Sequence, residues 1–257
     1  MNELFGTTAS VVAGCMVAMW VLSLALRDAS IVDIFWGAGF AVIGVTTFLV
    51  TDDGSSPRRA LLTGLVCLWG LRLAVYLLWR NAGHGEDPRY LAMRRHWGPR
   101  FPIISLVTVF ALQGIIMWTV SLPVQLGQLD PGGPIGWLEG LGVLLFAVGL
   151  TFEAVGDWQL ARFKANPSSV GHVMDRGLWR YTRHPNYFGD FCVWWGLFLV
   201  AASTPYGPWS IVGPIVMSFF LMRVSGVPML ERSIGKRRPG YADYAKRTSA
   251  FFPRPPR

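Results

Sequence analysis

Charge is scarce in this sequence. Asp, Glu, Lys and Arg together supply 15% of the 257 residues, against 52% for the apolar types. Soluble domains carry roughly 25% charged residues, so an ordinary water-exposed globule is excluded. Cysteine and histidine are also few. The three cysteines, Cys15, Cys67 and Cys192, sit inside apolar stretches, and the four histidines are scattered. A disulfide framework is thereby excluded, and no paired spacing suggests a metal site. Apart from a short Pro/Arg tail at Pro253 to Arg257, no repeat or low-complexity run is visible. The repeat-built transporters therefore find no support here. Nor is there a strand followed by Gly-x-Gly-x-x-Gly, so any dinucleotide would have to bind between helices.

Apolar length is what the chain has in quantity. A bilayer span takes about 20 mostly apolar residues. Seven such stretches fit, at about 8–27, 31–51, 59–79, 102–124, 136–158, 187–204 and 208–230. Short loops separate them. The expectation is an all-α polytopic bundle of seven transmembrane helices, one membrane domain over 1–257, with short interfacial helices on the cytoplasmic side and a cytoplasmic tail at 231–257. The first stretch follows Glu3 rather than a basic segment, and no small-residue cleavage site follows it, so it reads as a retained helix rather than a signal peptide.

The net charge of +8 is unevenly placed. Arg80, Arg89, Arg94, Arg95 and Arg100 follow the third stretch. Arg162, Lys164, Arg176, Arg180 and Arg183 follow the fifth, and Arg232, Lys236, Arg237, Arg238, Lys246 and Arg247 the seventh. The loops after the fourth and sixth stretches hold no Lys or Arg. The positive-inside rule then puts the N-terminus outside and the C-terminus in the cytoplasm. Basicity of this kind speaks of topology and anionic lipid rather than of nucleic acid.

Ionisable groups inside spans are expensive and mark functional interiors. Here they are Asp33, Arg72, Glu153, Asp157, Asp190 and Arg223, with Gln113 and Gln125 at the fourth stretch. Glu153 and Asp157 are four apart and share a helix face, as do Asn186 and Asp190. Lys164 lies two turns beyond Asp157. These residues converge on a polar layer at the cytoplasmic side, suited to a cytosolic anionic ligand. In "TRHPNYFG", Pro185 suits the first turn of a helix. Asn186 and Tyr187 then fall at a helix N-terminus, which attracts anions, with Arg180, Arg183 and His184 just upstream. In "GEDPRY", Pro88 opens a short interfacial helix next to Glu86, Asp87, Arg89 and Tyr90. The tail carries Tyr241 and Tyr244, then Phe251 and Phe252. It is either an interfacial anchor or a segment that folds back over the cytoplasmic site.

Taken in order, "SIVDIFWG", "GEDPRY", "GDWQLARFK", "GLWRYTRHPNYFGD", Glu231 and "RRPGYADYAKRTSAFFP" resemble the steroid 5α-reductase family, in particular its branch of uncharacterised bacterial membrane proteins. The resemblance implies seven helices around buried NADPH with a hydrophobic enone before it, in a bacterial inner membrane. Residue by residue, it implies that Asp157 and Lys164 hold the dinucleotide, that Asn186 and Asp190 contact its nicotinamide or ribose, and that Arg223 and Arg72 are the arginines of helices seven and three. Arg180, Arg183, His184 and Tyr187 flank the same turn, with the two arginines assigned to phosphates. Asp33 stands where the family has a carboxyl group that hydrogen-bonds the substrate ketone. A desolvated, protonated Asp33 would donate to that oxygen. Tyr76, Tyr90 and Tyr187 are the candidate partners, and the sequence does not choose among them. Two positions depart from the family: Trp69 stands where its partner tyrosine is expected, and Glu231 where a tyrosine is common. The "RHPNY" turn and a glutamate at that place are also similar to isoprenylcysteine and phospholipid methyltransferases, which makes S-adenosylmethionine the alternative cofactor. A transporter or partner-binding membrane subunit has no evident use for the one-sided polar layer.

Overall fold

In a computed structural model the chain is helical, with residues 1–51, 57–130, 132–224, 226–227, 231 and 240–256 described. Among these residues there is no strand, and an isolated parallel bridge joins Thr182 to Ser249. The basic residues Arg232, Lys236, Arg237 and Arg238 lie outside the described residues. Six helical stretches are long and apolar enough to cross a membrane: Asn2–Leu26, Ile31–Val50, Pro57–Asn81, Pro88–Val120, Trp137–Ala165 and Gly207–Val224. The stretch expected at 187–204 is not among them. Its helix has 17 residues, about 26 Å at 1.5 Å per residue. Large apolar side chains such as Leu49, Ile103, Ile115 and Leu144 stand exposed, as lipid-facing residues do. The protein is all-helical and belongs in a membrane.

The chain forms two compact units. The first comprises Met1–Ile135 and Ala201–Val212. It holds α1 (Asn2–Leu26), α2 (Ile31–Val50), α3 (Pro57–Asn81), α4 (Pro88–Trp97), α5 (Phe101–Ser105), α6 (Leu112–Val120) and α7 (Leu122–Gly127). Helix α1 ends on Arg27 at φ 55, a left-handed cap that turns the chain straight into α2. Helices α2 and α3 touch through bare backbone: a Cβ on Gly37 would fall 2.3 Å from the Gly70 carbonyl oxygen. Small residues allow such close approach where there is no hydrophobic force between helices in lipid. Within this unit Thr8 donates to Gln125 Oε1 at 2.8 Å and accepts from Trp118 Nε1 at 3.0 Å, so these apolar-depth polar groups satisfy one another.

Two local features shape the stretch from α4 to α6. Gly98, at φ 51, and Pro99 end α4, and the chain reverses there. Arg94 accordingly stacks back on the Phe101 ring at 4.4 Å. Between α5 and α6 a π-helical turn runs over Leu106–Ala111.

The second unit comprises Gly136–Val200 and Gly213–Arg257. It holds α8 (Trp137–Ala165), α9 (Pro185–Ala201), α10 (running from Val212 to Phe219), a π turn at Phe220–Val224, and α11 (Tyr241–Arg247). Glu139 starts α8 by accepting the Gly136 N–H at 3.0 Å, a capping interaction. A glycine seam joins α8 to α9. A Cβ on Gly149 would lie 2.5 Å from Gly189 O, and one on Gly142 2.7 Å from Gly196 O. The spacing of seven along both helices keeps one face in register. Two turns further on, Gly156 receives the Pro185 ring at 3.1 Å from its would-be Cβ. That seam brings the C-terminal half of α8 against the first turn of α9.

Candidate functional site

Polar chemistry in the first unit gathers where α1 ends, α2 begins, α3 ends and α4 begins. Glu86 ties the two connections together. It accepts the Ala29 N–H at 2.7 Å and both Nε and Nη2 of Arg94 at 2.8 Å. Burial pushes its carboxyl upward, but these hydrogen bonds outweigh burial and hold it below the ordinary glutamate value. Asp87 caps α4 through the Arg89 N–H at 2.9 Å and also takes Arg89 Nε at 2.9 Å. Arg89 then reaches across to Asp33 Oδ2 at 2.7 Å.

The other oxygen of Asp33 accepts the hydroxyl of Tyr90 at 2.7 Å. Tyr90 is 6% exposed, and its oxygen accepts in turn from Gln113 Nε2 at 3.0 Å. The acid on α2, the tyrosine on α4 and the amide on α6 thus form one line. Of the three candidate tyrosines, Tyr90 is the one bonded to Asp33. Tyr76 lies on α3 with Arg72 over its ring at 5.5 Å and Arg80 at 5.8 Å. Tyr187 stacks on His184 in the second unit, with the rings 5.5 Å apart and 9° from parallel. Trp69 is fully buried, edge-on to Phe40 at 5.5 Å. The tyrosine bonded to Asp33 therefore lies on α4 and not on α3. Asp33 thus accepts at both oxygens, from Tyr90 Oη and from Arg89 Nη2.

In the second unit the polar turn lies at the start of α9. Asn186 Nδ2 donates to buried Asp157 on α8 at 3.3 Å, and Asn186 Oδ1 takes the Tyr187 N–H at 3.1 Å. Asp190 lies one helical turn on, part-buried. Lys164, Arg180 and Arg223 stand exposed. His184 is 2% exposed, with Nε2 at 3.3 Å from Glu231 Oε1.

Arg183, one of the two arginines expected at phosphates, is held by protein groups. Its Nε and Nη2 bind Glu231 Oε1, each at 2.7 Å, and its Nη1 donates to the carbonyls of Ala245 at 2.8 Å and Thr248 at 2.7 Å. The hydrogen bond with His184, and then those from Arg183, hold the Glu231 carboxyl below its ordinary value. Burial beside Glu231 pushes the Tyr241 phenol up to about 12. The C-terminal segment is laced onto the same turn. Arg183 N–H meets Ser249 O at 2.8 Å, Thr182 Oγ1 meets Phe251 O at 2.7 Å, Arg254 N–H meets Tyr181 O at 3.0 Å, and Tyr244 Oη meets Trp179 O at 2.5 Å. Phe251 packs edge-on against Phe188 and Phe191. Of the two expectations for the tail, the segment 241–254 takes the one that folds back.

Sequence reasoning did not find this clasp or the part played by Gln113. A run such as "YADYAKRTSAFF" gives no sign of which backbone carbonyls an arginine 62 to 65 residues earlier will take.

Helices of this length and apolarity, with polar groups clustered at helix ends, define an all-helical integral membrane protein. Residues 19–248 match the family DUF1295, described as a protein of unknown function, and the chain belongs to that family. Uncharacterized protein C594.04c of Schizosaccharomyces pombe is 23% identical over 270 residues, covering 92% of this chain and 76% of that protein. The probable O-methyltransferase ustE of Ustilaginoidea virens is 35% identical over 99 residues, 37% of this chain and 32% of its own length. The nickel-cobalt-cadmium resistance protein NccN of Alcaligenes xylosoxydans xylosoxydans is 26% identical over 141 residues, 54% of this chain and 63% of its own. No solved structure matches the chain.

Proposed function

We propose that the protein is a membrane-embedded reductase that uses NADPH to reduce the C=C of an α,β-unsaturated ketone, carried by a steroid-like or other hydrophobic molecule. The observation that carries this reading is the buried Tyr90 hydroxyl, bonded to Asp33 at 2.7 Å and to Gln113 at 3.0 Å. When a conjugated C=C accepts a hydride at its β-carbon, negative charge develops on the ketone oxygen. A donor oriented in advance stabilises that charge. In this reading Tyr90 is that donor: its one hydroxyl proton, held on Asp33 Oδ1 at 2.7 Å, turns to the ketone oxygen when an enone binds, and the product also needs one proton. Tyr90 holds a proton at Oη, and Asp33, 23% exposed, links that hydroxyl to the solvent side.

Bound NADPH would supply the hydride. The donor set of the second unit fits such a group. Asn186 and Asp157 offer an amide and an acid to a carboxamide or ribose hydroxyls, with Asp190 next along the helix. Lys164 and Arg180 are exposed cations suited to phosphates. Arg183, with His184 and Glu231, builds the turn in this reading. Helix α9 is read as a seventh crossing, with the N-terminus of the chain outside and the C-terminus in the cytoplasm.

One observation favours a second reading. The 35% identity with a probable O-methyltransferase over 99 residues suits a turn that holds S-adenosylmethionine with Glu231. That reading gives the Asp33–Tyr90 pair no role. Titration of the detergent-solubilised protein with NADPH, NADH and S-adenosylmethionine separates the two. Heat of binding with NADPH is expected, and binding of S-adenosylmethionine alone would replace the reductase reading by the second.

A further inference from the structure

Gln113 is a polar side chain within an otherwise apolar helix. Its amide donates to the Tyr90 oxygen at 3.0 Å, from 23 positions further along the chain. Along a straight helix, that separation is about 35 Å. Two backbone irregularities remove it. The break at Gly98, whose φ of 51 suits glycine, folds α4 back against α5. The π turn at Leu106–Ala111 then carries one more residue than an α turn, which rotates everything after it by about 100° around the axis. Gln113 is the second residue after that turn. Such single π turns inside α-helices are frequent at functional sites.

The chemistry at the far end is specific. A phenol oxygen carries one proton and accepts through its lone pairs. Asp33 Oδ1 and Gln113 Nε2 flank the Tyr90 oxygen, one an acceptor and the other a donor. The amide N–H on the oxygen excludes an orientation in which the hydroxyl proton points at Gln113. It also supplies a donor that strengthens as negative charge grows on that oxygen. Arg89, bonded to Asp33 at 2.7 Å and to Asp87 at 2.9 Å, keeps Asp33 in place as the acceptor.

We infer that Gln113 is a positioning residue for Tyr90, and that the π turn of the preceding helix exists to aim its amide at the tyrosine oxygen. The role in turnover rests on the reductase reading above. The hydrogen-bonding role does not.

The test uses the full chain in detergent, with tyrosine labelled by 13C at Cζ and the Tyr90 resonance assigned by Tyr90→Phe. Gln113→Leu removes the donor. Gln113→Glu keeps the size and replaces the donor with an acceptor, so it serves if the first variant does not fold. The expected result is displacement of the Tyr90 resonance in both variants, with the resonances of the other tyrosines unmoved. The variants are then assayed with NADPH and a 4-en-3-one steroid such as progesterone. The turnover number is expected to fall about 10- to 100-fold, with the dissociation constant of NADPH unchanged. An unmoved Tyr90 resonance overturns the inference, as does unchanged turnover. If the unaltered protein reduces no enone while the resonance still moves, the reductase reading fails and the positioning of Tyr90 by Gln113 stands.

Discussion

Arg183 and Glu231 are 48 positions apart in the chain and 2.7 Å apart in the fold. The same guanidinium holds two carbonyls of the C-terminal segment, and the same carboxylate holds His184. The pair therefore couples the tail to the first turn of α9. Arg183→Lys keeps the charge but loses the planar fork, and each charged hydrogen bond lost costs about 1.5–3 kcal/mol. The expected outcome is faster cleavage of the C-terminal segment in limited proteolysis, while helix content by circular dichroism is kept.

The clasp also depends on pH, with a definite sign. The folded-state value of Glu231 lies below its ordinary 4.5, held down by His184 and Arg183. A lowered carboxyl contributes stability that is complete above the unfolded value and is lost as pH falls through the folded one. The tail should be protected from protease above about pH 4.5 and become progressively more sensitive below it. In Glu231→Gln that pH dependence should flatten, and a profile unchanged by the substitution would assign the protection elsewhere.

Tyr90→Phe removes the proposed donor and little else. Loss of one preoriented donor costs about 10²- to 10³-fold in turnover. Asp33→Asn should follow it more weakly, because an amide still accepts from Tyr90 through its oxygen. NADPH-dependent consumption of progesterone, followed at 340 nm for the cofactor, measures both. Equal activity of Tyr90→Phe and the unaltered protein would rule out the donor role.

Asn186→Ala combined with Asp190→Ala should abolish measurable NADPH binding by calorimetry. Arg180→Ala and Lys164→Ala should each weaken it, with a steeper loss at high salt, because exposed cations act through screened charge. Retention of full affinity in the double variant would move the dinucleotide away from the start of α9.

The α8–α9 seam makes a contrast between glycines on one helix. A leucine at Gly149 has no room, since even its Cβ would fall 2.5 Å from the Gly189 carbonyl. Overpacking of this kind costs about 1–3 kcal/mol or more. Gly140 on the same helix is exposed with nothing near its would-be Cβ, and alanine there should stabilise by about 0.5–1 kcal/mol. Thermal unfolding of Gly149→Leu and Gly140→Ala in detergent should shift in opposite directions.

Much of the helix plan was legible because lipid imposes one requirement on every span. Backbone groups must bond within the segment, so long apolar runs become helices whatever surrounds them. The run from Pro88 shows the limit of that reasoning. Its composition reads as a short interfacial helix followed by a span, and Gly98 does break it there. Nothing in "LVTVFA" distinguishes a π turn from an α turn, because the two differ by one residue per turn and not by residue type. The pairs Glu153/Asp157 and Asn186/Asp190 were legible from their spacing of four, whereas the bond from Asn186 to Asp157, which lies well inside α8, was not.

By itself, then, the sequence determined the helical class, the apolar stretches and the residues able to do chemistry: Asp33, Tyr90, Asp157, His184, Asn186 and Glu231. These follow from local rules of hydropathy, capping and spacing, which act over a few residues. The tertiary structure alone decided which tyrosine meets Asp33, that Gln113 completes the pair, and that Arg183 binds Glu231 and the tail. Those outcomes depend on helix reversal, on rotation about a helix axis and on backbone carbonyls that every residue carries alike. Residue type does not encode such relations until the chain has packed.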